Sequence, residues 1–307
     1  MTRPVVLKFG GELLENGANG ANGACGDRGD GREDTSAGGQ LAHAVAAVAA
    51  ILASRPAPDI VHGGLVIVHG GGRAIDAALK GAGLEKRQVD GLRITDAATL
   101  DVVVSVLRAV NLRFVSALNA AGVPAVGLTG ADAHCGLATA APPHRAVDGR
   151  LVDLGHVGVP EPDVQGHLLT TLIRDNFVPV LACIGAGRDG RLFNVNADTL
   201  AGHLAASLRA RRLIVAGTTA GVLDADGRTL AVLDTSGIAR IVNDRTATAG
   251  MIAKLRACEQ ALSAGVDDVV IVDGRDRAAL IDSMCDSWKQ PREAPRSATR
   301  LIRMVPA

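Results

Sequence analysis

The chain has 307 residues, enough to bury a core without disulfide or metal staples, and its 32 basic residues balance 32 acidic ones. That neutrality, with no Lys/Arg block, excludes the broad basic footprint of a nucleic-acid binder, and 2% aromatic content leaves little for base stacking or a membrane belt. Cys25, Cys135, Cys183, Cys258 and Cys285 lie far apart with no CxxC pair, which points to neither a disulfide framework nor a zinc site. A reducing cytoplasm fits this usage. Residues 1–11 lack the pattern of a secretory signal, and no apolar run reaches membrane-spanning length, so neither membrane nor nucleic acid is an expected partner.

In chain order, the β-branched run at 5–9 predicts a first strand that ends in Lys8-Phe9 and turns at Gly10-Gly11. Residues 15–39 are rich in Gly, Asn and Asp with almost nothing bulky to bury, and are expected to form a flexible insertion. A helix follows at 40–53, then a strand at 65–69 running into His69-Gly70-Gly71-Gly72 and a helix at 73–81. Thr95 is the expected N-cap of a long helix at 97–121, after which comes a strand at 125–128. The irregular stretch 135–154 holds Pro142, Pro143 and a hairpin-like turn at Asp148-Gly149-Arg150. A helix at 166–175 and a strand at 178–183 lead to a turn at 187–191, the polar segment Asn194-Val195-Asn196-Ala197-Asp198 and a helix at 199–208. The strand 212–216, a turn at 224–228, the helix 250–264, the strand 268–272, a polar Pro-containing tail after Trp288 and a short strand at 300–304 complete the chain. This rhythm is that of βαβ units around a mainly parallel sheet, an α/β fold.

Both glycine turns follow strands directly, where backbone amides can approach an anion and a following helix adds its positive end. Neither is a P-loop or a GxGxxG fingerprint. The chain uses 27 arginines against five lysines, so Lys8 beside the first turn and Lys254 early in a helix stand out. Phosphoryl transfer needs cations on the non-bridging and leaving oxygens, and two lysines aimed from opposite sides supply them; the other reading is a pair of solvated lysines. Asp198 is either the N-cap of the helix it opens or a carboxylate that fixes both ammonium groups, and Asn194 either shapes a loop or binds a substrate amide or carboxylate.

Lys8-Phe9-Gly10-Gly11, His69 to Gly72, GLRIT at 91–95, GLTG at 127–130, GHVG at 155–158, NVNAD at 194–198 and GMIAK at 250–254 occur together and in order. This set resembles the N-acetylglutamate kinases of the amino acid kinase family along essentially the whole chain. The resemblance implies a three-layer α/β/α sandwich in two lobes, with residues 1–203 binding the acyl amino acid and mediating dimerisation and 204–307 binding the nucleotide. It further implies ATP with Mg2+ held mainly by the phosphates, N-acetyl-L-glutamate as acceptor and a role in arginine biosynthesis. Lys8, Asp198 and Lys254 become catalytic; Gly71, Gly72, Arg93 and Asn194 hold the acyl amino acid; Gly10, Gly11, Thr218 and Gly221 face the nucleotide. Thr218 stands where the family has Asp, and Arg108, Ala109 and Leu112 replace a Gly-Lys and a following Lys. Arginine-inhibited relatives carry an extra N-terminal helix; with its first strand at about Pro4 this chain is expected to be an arginine-insensitive homodimer. The alternatives are a kinase for an aminoadipate derivative of lysine biosynthesis and an inactive amino-acid sensor.

Overall fold

The structure is a computed structural model that describes residues 3–15, 39–53, 64–162, 166–244, 246–284 and 297–303. The expected insertion at 15–39, apart from its end residues, and the tail after Trp288 fall outside them, as do Cys25 and Cys285. Eight described strands form one sheet in the order β14-β16-β15-β13-β1-β2-β10-β5. They are β1 (Val5–Phe9), β2 (Leu65–His69), β5 (Ala125–Leu128), β10 (Val178–Ala182), β13 (Arg212–Gly217), β14 (Val232–Asp234), β15 (Asp268–Asp273) and β16 (Ala298–Ile302). Every neighbouring pair is parallel except β15 with β16. A smaller sheet orders β11 (Ile184–Ala186), β12 (Leu192–Val195), β9 (Val157–Pro160) and β6 (Ala138–Ala140), and two short hairpins pair β3 (Gln88–Val89) with β4 (Leu92–Arg93) and β7 (His144–Arg145) with β8 (Leu151–Val152).

The central strands are apolar apart from Lys8 and His69 because both faces are covered. Pleating sends Val5, Leu7 and Phe9 of β1 to one face, where they meet Val48 of α1 (Gly39–Ala53), Phe114 of the long α3 (Ala97–Ala120) and Leu280 of α8 (Arg277–Met284). Val6 faces the other way, into a core with Leu79 of α2 (Gly72–Gly81), Leu169 of α4 (His167–Arg174), Leu204 of α5 (Ala197–Ser207), Ile238 of α6 (Thr235–Asp244) and Leu255 of α7 (Ala249–Ser263). The result is a three-layer α/β/α sandwich. Lys8, in phase with Val6, projects toward the layer that holds α5 and α7.

Three local expectations change. The N-cap of α3 is Asp96, whose carboxylate accepts from Thr99 N, while Thr95 is drawn one step back into the sheet side by its own backbone bonds to Leu154 and His156. The turn after β1 continues as a single 3-10 turn, Gly11–Leu14, so only the second glycine turn opens an α-helix. The helices α6 and α8 were not legible as helices.

Candidate active site

The parallel register sets Lys8 opposite Val68 of β2 and Val215 of β13, so β1, β2 and β13 end level with one another. Their glycine turns meet over that edge. A methyl group at Gly11 would lie 2.6 Å from the Gly71 Cα and 2.8 Å from the Gly72 N, so position 11 has no room for a Cβ against the backbone of the second turn. The two turns form one continuous rim of backbone amides, and α2 begins at Gly72 with its N-terminal end on it. His69, fully buried, holds the second turn: its Nδ1 donates to Gly70 O at 3.0 Å, and its Nε2 accepts from Asn111 Nδ2 at 3.0 Å, an amide that also donates to Val180 O. Burial pushes this imidazole down to about 4, well below its ordinary value.

Beside the rim, Lys8 Nζ lies 2.8 Å from Asp198 Oδ1, with the two side chains 9% and 15% exposed. Asn196 caps α5 by accepting from Asp198 N and Thr199 N. Asp198 is thus released from capping, and its carboxylate sits in the first turn of α5, where the helix end favours negative charge. The approach is an ion pair by distance, yet Oδ1 has no well-aligned hydrogen bond among the described residues. Burial opposes the Asp198 charge, but Lys8 and Lys254 outweigh it and hold the carboxyl below its usual range. For Lys8, burial likewise opposes the charge, and Asp198 with a smaller pull from Glu12 raises it above the ordinary lysine value. Lys254, near the start of α7, goes the other way: burial and the like charge of Lys8 together exceed the help of Asp198. Its Nζ reaches the end of β13, 3.2 Å from where a Gly217 Cβ would be. Two ammonium groups of unequal basicity therefore share one carboxylate at the junction of β1 and β13.

Arg93, on β4, lies on the other side of the rim. Its Nη2 donates to Asp76 Oδ1 of α2 at 2.5 Å, Lys86 donates to the other oxygen at 2.6 Å, and Arg93 Nη1 is buried with no hydrogen-bond partner among the described residues. Asn194 Nδ2 donates to Thr95 Oγ1 at 3.0 Å, and Asn194 N to His156 O. A single open pocket of about 250 Å³ brings Lys8, Gly10, Gly11, Gly71, Gly72, Arg93 and Asn194 together, with Glu12 in the same lining. Thr218 and Gly221 do not line it. They lie past the end of β13, where Thr218 O accepts from Arg275 Nη2 at 2.8 Å, and Gly221, at φ +96°, closes on Thr299 with no room for a Cβ.

Glu12, Thr95 and Arg275 also bear on the site, without standing among its sequence candidates. Glu12 reads as ordinary helix-start composition, and only the closure of β1 onto β13 puts its carboxylate near Lys8 and Lys254. Thr95 read as a cap. Arg275, also paired with Asp273, follows β15 and shows no signal until that strand is placed beside β13.

This is an α/β/α enzyme scaffold with a cationic, amide-rimmed pocket at the carboxyl ends of its parallel strands, the place where such sheets bind anionic ligands. The chain belongs to the amino acid kinase family, whose model matches residues 3–273. It is 43% identical over 222 residues to the acetylglutamate kinase of Sphingopyxis alaskensis, covering 70% of this chain and 73% of that protein. The acetylglutamate kinase of Novosphingobium aromaticivorans is 40% identical over 227 residues, covering 70% and 74%. Among solved structures, N-acetylglutamate synthase from Neisseria gonorrhoeae, complexed with coenzyme A and N-acetyl-glutamate, superposes with a TM-score of 0.75 at 21% identity. That match covers 99% of this chain, which spans 60% of the synthase's length, and it bears on the fold alone.

Proposed function

We propose that the chain transfers the γ-phosphoryl group of ATP to the γ-carboxylate of N-acetyl-L-glutamate, giving N-acetylglutamyl 5-phosphate and ADP in arginine biosynthesis. The observation that carries this reading is the Lys8–Asp198–Lys254 constellation at the rim where the two glycine turns touch. The acetylglutamate kinase names of relatives at 40% and 43% identity point the same way. Residues 1–203 contribute the acyl amino acid side and 204–307 the nucleotide side.

Arg93 Nη1 takes the substrate α-carboxylate, its fork already oriented by Asp76, and Asn194 takes the acyl amide. The amides at Gly71 and Gly72 line the acceptor side, and those at Gly10 and Gly11 receive the transferring phosphates. The acceptor carboxylate is ionised at neutral pH, so attack on the γ-phosphorus needs no general base. Charge shifts onto the phosphoryl oxygens and the leaving β-phosphate, where Lys8 and Lys254 meet it, with Asp198 holding both against their mutual repulsion. Thr218 and Gly221 shape the nucleotide side from behind the rim. Among the described residues no three His, Cys, Asp or Glu side chains cluster as a metal cage, and the Asp198 carboxylate is taken by Lys8. A Mg2+ ion would ride on the nucleotide phosphates and neutralise part of their charge. No helix among the described residues is long and apolar enough to cross a membrane; a cytoplasmic homodimer without arginine feedback completes the reading.

Coupled ADP release with N-acetyl-L-glutamate, an aminoadipate derivative and free glutamate tests it. Turnover with N-acetyl-L-glutamate is expected, falling about 10²- to 10³-fold in kcat in Lys8→Arg and Lys254→Arg, whose planar forks cannot replace a compact ammonium. Absence of turnover with the whole panel would refute an enzyme, and preference for the aminoadipate derivative would move the acceptor assignment.

A further inference from the structure

Arg93 sits on a hairpin of two residues per strand, β3 with β4, which is too short to hold its own shape in water. Something outside the hairpin must fix the guanidinium. Asp76 supports it from the α2 side, and the base of the hairpin is docked through Thr95, whose N donates to Leu154 O and whose carbonyl accepts from His156 N. The tip is held separately. Asp90, at φ 47° in the turn before Gly91, accepts from His144 Nε2 at 2.8 Å and from Val147 N at 3.0 Å, both with Oδ2. A carboxylate only accepts, so the imidazole presents Nε2–H here.

His144 and Val147 belong to the second hairpin, β7 with β8, closed by Ala146 N to Arg150 O and anchored by buried Ala146 and Leu154. The residues that follow it, 154–156, are those that bond Thr95 and Asn194. One continuous segment, 144–156, thus grips the Arg93 hairpin at tip and base and carries on to the strand partner of Asn194. Neither Asp90 nor His144 lines the pocket that holds Arg93, Asn194 and the glycine rim. Their side chains are about a quarter exposed, so they are accessible to exchange with water rather than locked in the core.

We infer that Asp90 is a positioning residue: by latching the β3–β4 hairpin onto the β7–β8 hairpin through His144 and Val147, it presets Arg93 and so governs affinity for the acyl amino acid without entering the transfer step. The inference rests on the proposed acceptor only for its kinetic consequence. The latch itself is a property of the protein without ligand.

The test has two arms. Amide hydrogen exchange on the ligand-free protein reads the latch: Asp90→Ala accelerates exchange across 88–94 about tenfold or more, as expected on losing two hydrogen bonds to a charged acceptor, while β1, β2 and β13 keep their protection. His144→Gln, whose amide still donates, stays near wild type, and His144→Ala falls between because Val147 N remains. Steady-state kinetics read the consequence: in Asp90→Ala, KM for N-acetyl-L-glutamate rises about tenfold while kcat and KM for ATP stay within twofold. Unchanged exchange at 88–94, or loss of protection spread evenly over the sheet, overturns the latch. Faster local exchange with an unaltered KM overturns its role in affinity. Wild-type protein that exchanges as expected but turns over no substrate would refute the proposed function and leave the latch standing.

Discussion

The buried His69 makes the glycine rim sensitive to acid in a way that can be measured on the folding equilibrium. Its neutral, Nδ1-protonated form satisfies both ring nitrogens, one on Gly70 O and the other on the Asn111 amide. A second proton would face Nε2–H against the Asn111 NH2. Flipping that amide would strip Val180 O of its donor. Burial is the main reason the folded value drops to about 4 from an unfolded value near 6.5. Because the folded value is the lower one, the unfolded chain takes up the proton first as pH falls. Stability attributable to His69 is therefore complete above about pH 6.5, is lost as pH drops toward 4 and levels off below. At about 1.36 kcal/mol per pKa unit the whole loss is about 3 kcal/mol, of which about 2 kcal/mol is reached by pH 5. Urea unfolding of wild type and His69→Gln at pH 7.5, 6, 5 and 4.5 isolates this contribution, since the depressed carboxylates Asp76 and Asp198 titrate alike in both proteins. The wild-type advantage should shrink by about 2 kcal/mol between pH 7.5 and pH 5. A difference that stays constant with pH, or grows as pH falls, would refute the assignment of His69 as a buried neutral imidazole.

Asp198→Asn removes the attraction that keeps Lys8 raised and Lys254 from falling further, so the alkaline limb of the kcat profile should move to lower pH, with kcat at neutral pH down roughly 100-fold. An unshifted limb would separate those lysines from the rate. Glu12→Gln takes a like charge away from the phosphate side of the pocket, and KM for ATP should fall about fivefold, from roughly 1 kcal/mol between unit charges 4 Å apart in water. An increase in KM for ATP would instead show that the carboxylate holds part of the nucleotide complex.

Strand bounds were legible where a covered parallel strand reads as a mostly apolar run: 5–9 and 65–69 appear in the structure unchanged, as does the edge strand 125–128. The helix Thr235–Asp244 escaped because it opens on Thr, Ser and Gly and fills its buried face with Ile238, Ile241 and Val242, residues whose propensity points elsewhere. Its helical state comes from packing on α7. Arg277–Met284 is two turns long, with Asp276 accepting from Ala279 N, too short for a periodic signal. At the site, lysine scarcity singled out Lys8 and Lys254, whereas the choice between cap and counter-ion for Asp198 depended on whether Asn196, two residues earlier, took the cap. Glu12 and Asp90 carry no local mark, and the mark on Thr95 is that of a helix cap rather than of a site residue. Their partners are 54 to 57 residues away for Asp90, as with His144 and Val147, and 99 away for Thr95, as with Asn194.

The junction between the proposed acceptor and nucleotide sides is the pairing of β1 with β13, five consecutive residues in parallel register at the middle of an eight-stranded sheet. A linker between lobes could bend at a few dihedrals, but here no single residue can absorb a rotation without breaking backbone pairing on both sides. Any approach of the two substrates must then be spread as added twist over the whole ribbon of strands, while the larger local displacements fall to hairpins fastened at its rim. Mechanically, the molecule resembles a stiff torsion spring with soft jaws, and substitutions that flatten or crease the middle strands should alter the coupling between the two substrates even where they touch neither.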